Sequence, residues 1–202
     1  MAVGQAPDFE DTLRLAERGV AAAQFNLGVM YDNGRGVPED NAEAVKWYRL
    51  AADQGDADAQ YNLGTMYETG EGVPVNDAEA VKWYRLAADQ GDADAQFNLG
   101  VMYEVGKGVP EDEAEAAKWY HLAADQGNAI AQFNLGVIYN NGEGVPRNYV
   151  TAYVWFNIAA ASGQEVAINA RSRVEQQMTR SQIFEAQQLS TEIFERIQQR
   201  NQ

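Results

Sequence analysis

Cysteine is absent from the 202 residues, which excludes a disulfide framework and any thiolate metal site. Histidine occurs once, at His121, so the sequence offers no second imidazole for a metal cage. Nor does it advertise partners for a His-centred catalytic dyad. Basic residues are few: 15 Lys and Arg stand against 30 Asp and Glu, for a net charge of −15. The imbalance is local. Residues 163–202 hold five Glu and five Arg, and the first 162 residues hold the remaining 25 acids and 10 bases, which carry the whole −15. Such a surface repels phosphate backbones, so nucleic acid and anionic membrane are poor partners and a basic peptide or protein face is a better one. The bland alternative is a surface charged for solubility.

Long apolar runs are also missing, and none approaches transmembrane length, so no membrane insertion is expected. The opening MAVGQAPDFEDTLRLAERG has neither a basic n-region nor an apolar h-region. As written, the chain reads as soluble and cytoplasmic, or periplasmic if a leader has been removed.

What the chain does contain is repetition. The 19-residue string AEAVKWYRLAADQGDADAQ runs from Ala42 to Gln60 and again, unchanged, from Ala78 to Gln96. A third, altered copy, AEAAKWYHLAADQGNAIAQ, follows at the same 36-residue offset, from Ala114 to Gln132. A fixed period of this length marks a repeat array whose units bury their apolar faces by stacking on neighbours. Four units align, Ala23–Asp58, Ala59–Asp94, Ala95–Ile130 and Ala131–Val166. One elongated domain is the expectation.

Each unit opens with a block such as AQFNLGVMY. Ala23, Leu27, Met30 and Tyr31 fall on one helical face. Gly28 sits among them and recurs as Gly64, Gly100 and Gly136; glycine costs about 1 kcal/mol in a helix interior, so close approach of a second helix is expected there. A seven-residue connector follows, GRGVPED in the first copy. Its glycines end the first helix and Pro38 fixes φ before the next. Asp40, Asn76, Asp112 and Asn148 are placed as N-caps, with Glu43, Glu79 and Glu115 three residues on as in a capping box, and Thr151 in the fourth copy. The second helix carries AVKWYRLAA and ends at Gly55, Gly91, Gly127 or Gly163.

The fold expected is therefore all-α: an α/α superhelical solenoid of 36-residue helix-turn-helix repeats, with a C-terminal capping helix. Residues 1–22 are read as an N-terminal half repeat or cap, 23–166 as four repeats and 167–202 as C-terminal amphipathic capping helices. Within the last segment Ile183, Ala186, Leu189, Ile193 and Ile197 recur at helical spacing.

The A-Q-[FY]-N-L-G-x-[MI]-Y block, the G-x-G-V-P connector, the A-x-x-W-[YF] block and the A-A-x-x-G ending resemble the Sel-like repeat family, a relative of the tetratricopeptide repeat. The likeness covers about residues 9–166. It implies an α/α superhelix acting as a protein-binding scaffold or adaptor. A cysteine-rich secreted branch of that family has been credited with penicillin-binding or hydrolysing activity; with no Cys here, nothing from that branch carries over.

The recurrent amides Asn26, Asn62, Asn98 and Asn134 are the sharpest binding candidates, since related arrays use an asparagine at this place to hold a peptide's backbone or carboxylate. Phe25, Tyr61, Phe97 and Phe133 share their helix face. Val29, Thr65, Val101 and Val137 follow one turn on, then Asp32, Glu68, Glu104 and Asn140. First-helix faces line the concave side in this architecture, which makes an aromatic and amide ladder with an acidic edge, suited to a peptide. The structural alternative is that each Asn ties one repeat to the next through buried hydrogen bonds. Trp47, Trp83, Trp119 and Trp155 read as core. The acids of the connectors (Glu39 and Asp40; Glu111, Asp112 and Glu113) lack the ligand spacing of a calcium loop. His121 replaces Arg49 and Arg85 and reads as a surface substitution. No catalytic residue, metal ligand or cofactor is expected.

The leading reading is a non-enzymatic scaffold that binds a protein segment in its concave groove, as a monomer or weak homodimer. A self-assembling module that dimerises through the C-terminal helix is the alternative, and a hydrolase like the cysteine-rich relatives is remote.

Overall fold

The computed structural model describes residues 9–200. The first eight residues, on which part of the half-repeat reading and the leader reading fall, lie outside the described residues, as do the last two positions. Among the described residues the chain forms eleven helices and no strand. They are α1 (Phe9–Glu17), α2 (Ala21–Asn33), α3 (Asn41–Asp53), α4 (Ala57–Thr69), α5 (Asp77–Asp89), α6 (Ala93–Val105), α7 (Glu113–Asp125), α8 (Ala129–Asn141), α9 (Tyr149–Ala161), α10 (Glu165–Glu175) and α11 (Arg180–Arg200). The even helices α2 to α8 are the first helices of the four repeats and α3 to α9 the second. The fold class is the all-α one expected from the period.

The described residues fall into two compact units that meet between Ala95 and Gln96, inside α6. A repeat touches only its neighbours, so no core need run the length of the chain. In the first unit α1 to α4 pack in succession and α4 packs on α5; in the second α7, α8 and α9 do the same, and both α10 and α11 pack on α9.

Local chemistry explains the boundaries. The connector glycine Gly34 adopts φ 63° and its N–H donates to Met30 O, which ends α2. The predicted N-caps form: the side chains of Asp40, Asn76, Asp112 and Asn148 accept from the backbone N–H of Glu43, Glu79, Glu115 and Thr151. The reciprocal half of the capping box does not. Each cap residue's own N–H is already donated to a first-helix carbonyl, as Asp40 N–H is to Tyr31 O at 2.9 Å. The glutamates pair instead with Lys46, Lys82 and Lys118. The fourth repeat therefore loses nothing at its cap by carrying Thr151.

The helix-interior glycines have the cause expected of them. A Cβ on Gly64 would stand 2.7 Å from the Tyr84 ring, and one on Gly100 2.7 Å from the Tyr120 ring. Removing the side chain lets the second helix lay a whole aromatic ring on the first. Tyr48, Tyr84 and Tyr120 are almost wholly buried, with Leu27, Leu63, Leu99 and Leu135 beside them at 0% exposure. Trp83 and Trp155 are buried as well, while Trp47 and Trp119 keep partial access.

The C-terminal segment keeps the repeat geometry further than its sequence shows. α10 begins at Glu165, one period after α8 begins at Ala129, and Ala167 is as completely buried as Ala131. It is a worn first helix, in which Ala167 holds the place of Ala131 and Val174 that of Ile138. α11 follows as the amphipathic helix expected over 183–197. Ala186 and Ile197 join the core cluster of the second unit, with Ile193 and Phe194 against it. Phe184 and Leu189, however, face solvent.

Candidate functional site

The candidate site is the first-helix face, seen separately in each unit. In the first, Phe25 and Tyr61 stand half-buried on α2 and α4, each against the tyrosine of its own second helix. The ring centroids are 5.9 Å apart for Phe25–Tyr48 and 5.9 Å for Tyr61–Tyr84. In the second, Phe97 meets Tyr120 at 5.8 Å and Phe133 meets Phe156 at 5.5 Å. The Leu next to each outward aromatic is fully buried, so the helix face divides sharply between core and surface.

The acids of the predicted edge are engaged. Tyr48 Oη–H donates to Asp32 at 3.1 Å and Tyr84 to Glu68 at 2.8 Å, and Tyr120 donates to Glu104. Thr65 joins the second of these: its hydroxyl donates to Tyr61 O at 3.2 Å and lies 3.1 Å from the Tyr84 oxygen. Burial first, and the neighbouring carboxylate next, push the Tyr48 phenol far above its ordinary value. For Tyr120 burial comes first and then the hydrogen bond to Glu104. Both tyrosines stay neutral donors at any physiological pH. A carboxylate has about four lone-pair sites, so the phenolic donor leaves the exposed Glu104 able to accept from a cation as well.

The amides divide. Asn26 is exposed, and Asn62, Asn98 and Asn134 are half-buried. Asn62 hydrogen-bonds the Tyr48 hydroxyl of the preceding repeat, and Asn134 does the same to Tyr120; each amide favours the phenolate and partly offsets the upward push. Val101 lies half-buried on the same face of α6.

Sequence reasoning passed over a second polar device. Gln24, Gln60 and Gln132 are buried at the starts of first helices, and each donates through Nε2 to a carbonyl at the end of the preceding second helix: Ala16 O, Ala52 O and Ala124 O, all at 3.1 Å. Their Oε1 atoms accept from the far end of their own repeat. Gln54 donates to Gln24 at 2.6 Å, Gln90 to Gln60 at 2.8 Å, and Ser162 Oγ to Gln132 at 3.3 Å. The invariable Q of the AQ pair was the available signal: a long polar side chain beside a buried Ala in every copy.

His121 differs from its reading as a surface substitution. It is half-buried, with its ring edge-on to Trp155 at 5.1 Å and to Tyr139 at 6.5 Å. Burial holds its pKa below the ordinary histidine value, opposed by Asp125 and aided by Arg196. The arginine it replaces behaves alike in the first unit, where Arg49 donates to the Tyr67 hydroxyl and lies over its ring. Among the described residues no group of three or more His, Asp or Glu is placed to hold a metal ion, and no helix is long and apolar enough to cross a membrane.

The Sel1 repeat profile matches four consecutive segments, residues 21–56, 57–92, 93–128 and 129–164. The chain belongs to the Sel1 repeat family. A crystal structure of a Sel1 repeat protein from Oxalobacter formigenes is 38% identical with a TM-score of 0.71, over 81% of this chain and 65% of that one. A protective antigen of uropathogenic Escherichia coli strains, displaying an SLR fold, is 34% identical with a TM-score of 0.59, over 94% of this chain and 48% of its own length. This Sel1 chain thus spans between about half and two thirds of those relatives. Cysteine rich protein B of Helicobacter pylori, at 20% identity and a TM-score of 0.50, shares the fold. A comparison with curated proteins finds no match. Sel1 repeats are in general modules of protein–protein interaction.

Proposed function

We propose that this Sel1 chain is a non-catalytic scaffold or adaptor that binds a basic or mixed-charge protein segment on its first-helix faces. The observation that carries the reading is the division of those faces. The ladder aromatics from Phe25 to Phe133 remain half-buried beside fully buried leucines, and a carboxylate recurs two turns along from the aromatic in the first three repeats. An aromatic platform with an acidic edge suits an extended or helical segment carrying Lys or Arg. Tyr61, Thr65 and Glu68 serve in the first unit, and Phe97, Val101 and Glu104 in the second. Asn26, Asn62, Asn98 and Asn134 flank them as backbone-binding amides.

The test is selection from a random peptide library displayed on phage, followed by titration calorimetry. Basic peptides of roughly micromolar affinity are expected, weakening as salt rises because the edge charges keep access to solvent. Asn62→Ala with Asn98→Ala sorts the amides. A tenfold or so loss of affinity with an unchanged melt makes them ligand clamps, whereas a lowered melt makes them ties between repeats. Selected peptides with no net positive charge, or binding indifferent to salt, would refute the acidic-edge reading.

The other reading is self-assembly through α11. Its support is Phe184, 62% exposed on that helix. A mass that doubles with concentration, and returns to the monomer in Phe184→Ser, would favour it.

A further inference from the structure

The ladder of the first-helix faces changes character at its last rung. α10 stands one period beyond α8, so Asn169 holds the place of Phe133, Ala170 that of Asn134 and Arg173 that of Val137. The acidic edge has ended as well: the place of Glu104 is taken by Asn140 on α8 and by Gln176 on α10. With an amide where a ring would stand, a hollow of about 290 Å³ opens between α8 and α10, walled by Phe133, Val166, Asn169, Ala170 and Arg173. It stands at the foot of the range of small-molecule sites, roughly 300–1,000 Å³, and suits one side chain rather than a large ligand.

α10 carries four charged residues, and Arg173 is the one in that wall. Arg171 is engaged with Asn157 of α9, to which it donates at 2.6 Å. Arg173 is exposed, and among the described residues no hydrogen bond or ion pair holds its guanidinium. An open guanidinium beside an apolar wall suits a carboxylate and a hydrocarbon group presented together. An internal Asp or Glu offers the first alone. The last residue of a chain offers both from one Cα. We propose that the hollow takes the C-terminal residue of a bound segment, its apolar side chain against Phe133 and its free carboxylate on Arg173 and Asn169. Given a ligand on the first-helix faces, the reading on which this rests, that ligand is a protein C-terminus running with its basic residues toward Glu104 on α6.

The probe is a pool of synthetic nonapeptides, random at eight positions and closed by Leu, passed over the immobilised full chain as free acids and as C-terminal amides. Retained peptides are read by mass spectrometry, and the best of them are titrated by fluorescence anisotropy. Free acids with Lys or Arg upstream of the Leu should be retained, and should bind at least tenfold or so tighter than their amides. Arg173→Gln should weaken the acids about tenfold while leaving the amides and the thermal melt unchanged, and Arg173→Lys should restore part of the loss. The comparison of acid with amide needs no variant, so it stands even if Arg173→Gln disturbs the fold. Basic peptides that bind equally well as acid and amide would overturn the C-terminal assignment and leave the acidic edge standing. An amide with an internal Glu that binds as tightly as the acids, and weakens in Arg173→Gln, would also overturn it, in favour of a side-chain carboxylate. Retention of no peptide from either pool would overturn both readings.

Discussion

The second and fourth repeats solve the same packing problem with different chemistry. In the second, Tyr84 lies on Gly64 and its hydroxyl donates to Glu68. In the fourth, Phe156 lies on Gly136 and the acid's place is taken by Asn140. The ring is retained, and the phenol and the carboxylate vanish together. They therefore form one device rather than two surface choices: a buried phenol must have an acceptor, and without the phenol the acid has no structural task. The neighbouring residues follow suit. Where the second repeat has Lys82 and Leu86 exposed on its outer face, the fourth has Val154 and Ile158 buried, because α10 and α11 lie on α9. The fourth repeat is an interior unit of its domain on both sides, and its polarity has been stripped to match.

That contrast can be broken most severely by removing α11. A chain truncated after Gln177 should aggregate or lose much of its helical circular dichroism, since Val154, Trp155 and Ile158 lose their cover. Equal solubility and an unchanged melt would deny α11 its capping role. Next in size is the core common to both repeats. Leu63→Ala and Leu135→Ala should each cost about 2–5 kcal/mol, read from urea midpoints, because both side chains are 0% exposed. A cost under about 0.5 kcal/mol at either would refute that helix's packing face.

A finer test imitates the fourth repeat in the second. Tyr84→Phe alone should cost about 1–2 kcal/mol by removing the phenolic donor to a half-buried carboxylate. Tyr84→Phe with Glu68→Asn should recover part of that loss, and a double-mutant cycle gives the coupling. Additive costs would mean the pair is not one device.

The smallest effect lies at His121. Its folded pKa is below the unfolded value, so between the two the unfolded chain binds more protons and stability rises with pH. The groups facing it are Tyr139, Trp155, Asp125 and Arg196. Thermal melts should therefore fall as pH drops below about 6.5. His121→Gln should flatten that slope while leaving the carboxylate-driven loss at lower pH intact; an identical slope in the variant would remove His121 as its source.

Much of the fold was legible because the period places each residue several times. Gly28 could be read as a close approach from its recurrence alone, and the N-caps from Asp40 and its equivalents. What could not be read was pairing across helices. Nothing in the string NLG says that Asn62 turns back to Tyr48, or that Glu68 faces Tyr84, since these partners lie 14 and 16 positions apart on different helices. For the same reason the capping box was half right: the N–H that Glu43 would have bonded is consumed by Tyr31 O, a contact set by the hairpin and not by the local sequence. Helices were expected over 167–202, but that α10 continues the period could not be seen, because little of the motif survives there beyond Gly163 and Ala167.

The buried glutamines carry a further consequence. Gln24, Gln60 and Gln132 all make the same bonds, backward to an alanine carbonyl and onward to the end of their own hairpin. The acceptor is main chain, so it asks nothing of the side chains of the repeat in front. For this bond any copy can follow any other and find its seat ready. Such a joint makes the 36-residue unit a heritable tile: a duplication in register lengthens the array without inventing a contact, whereas a duplication one residue out of register orphans the amide at its first joint. Two word-for-word copies standing side by side are what a lineage extended by whole tiles leaves behind.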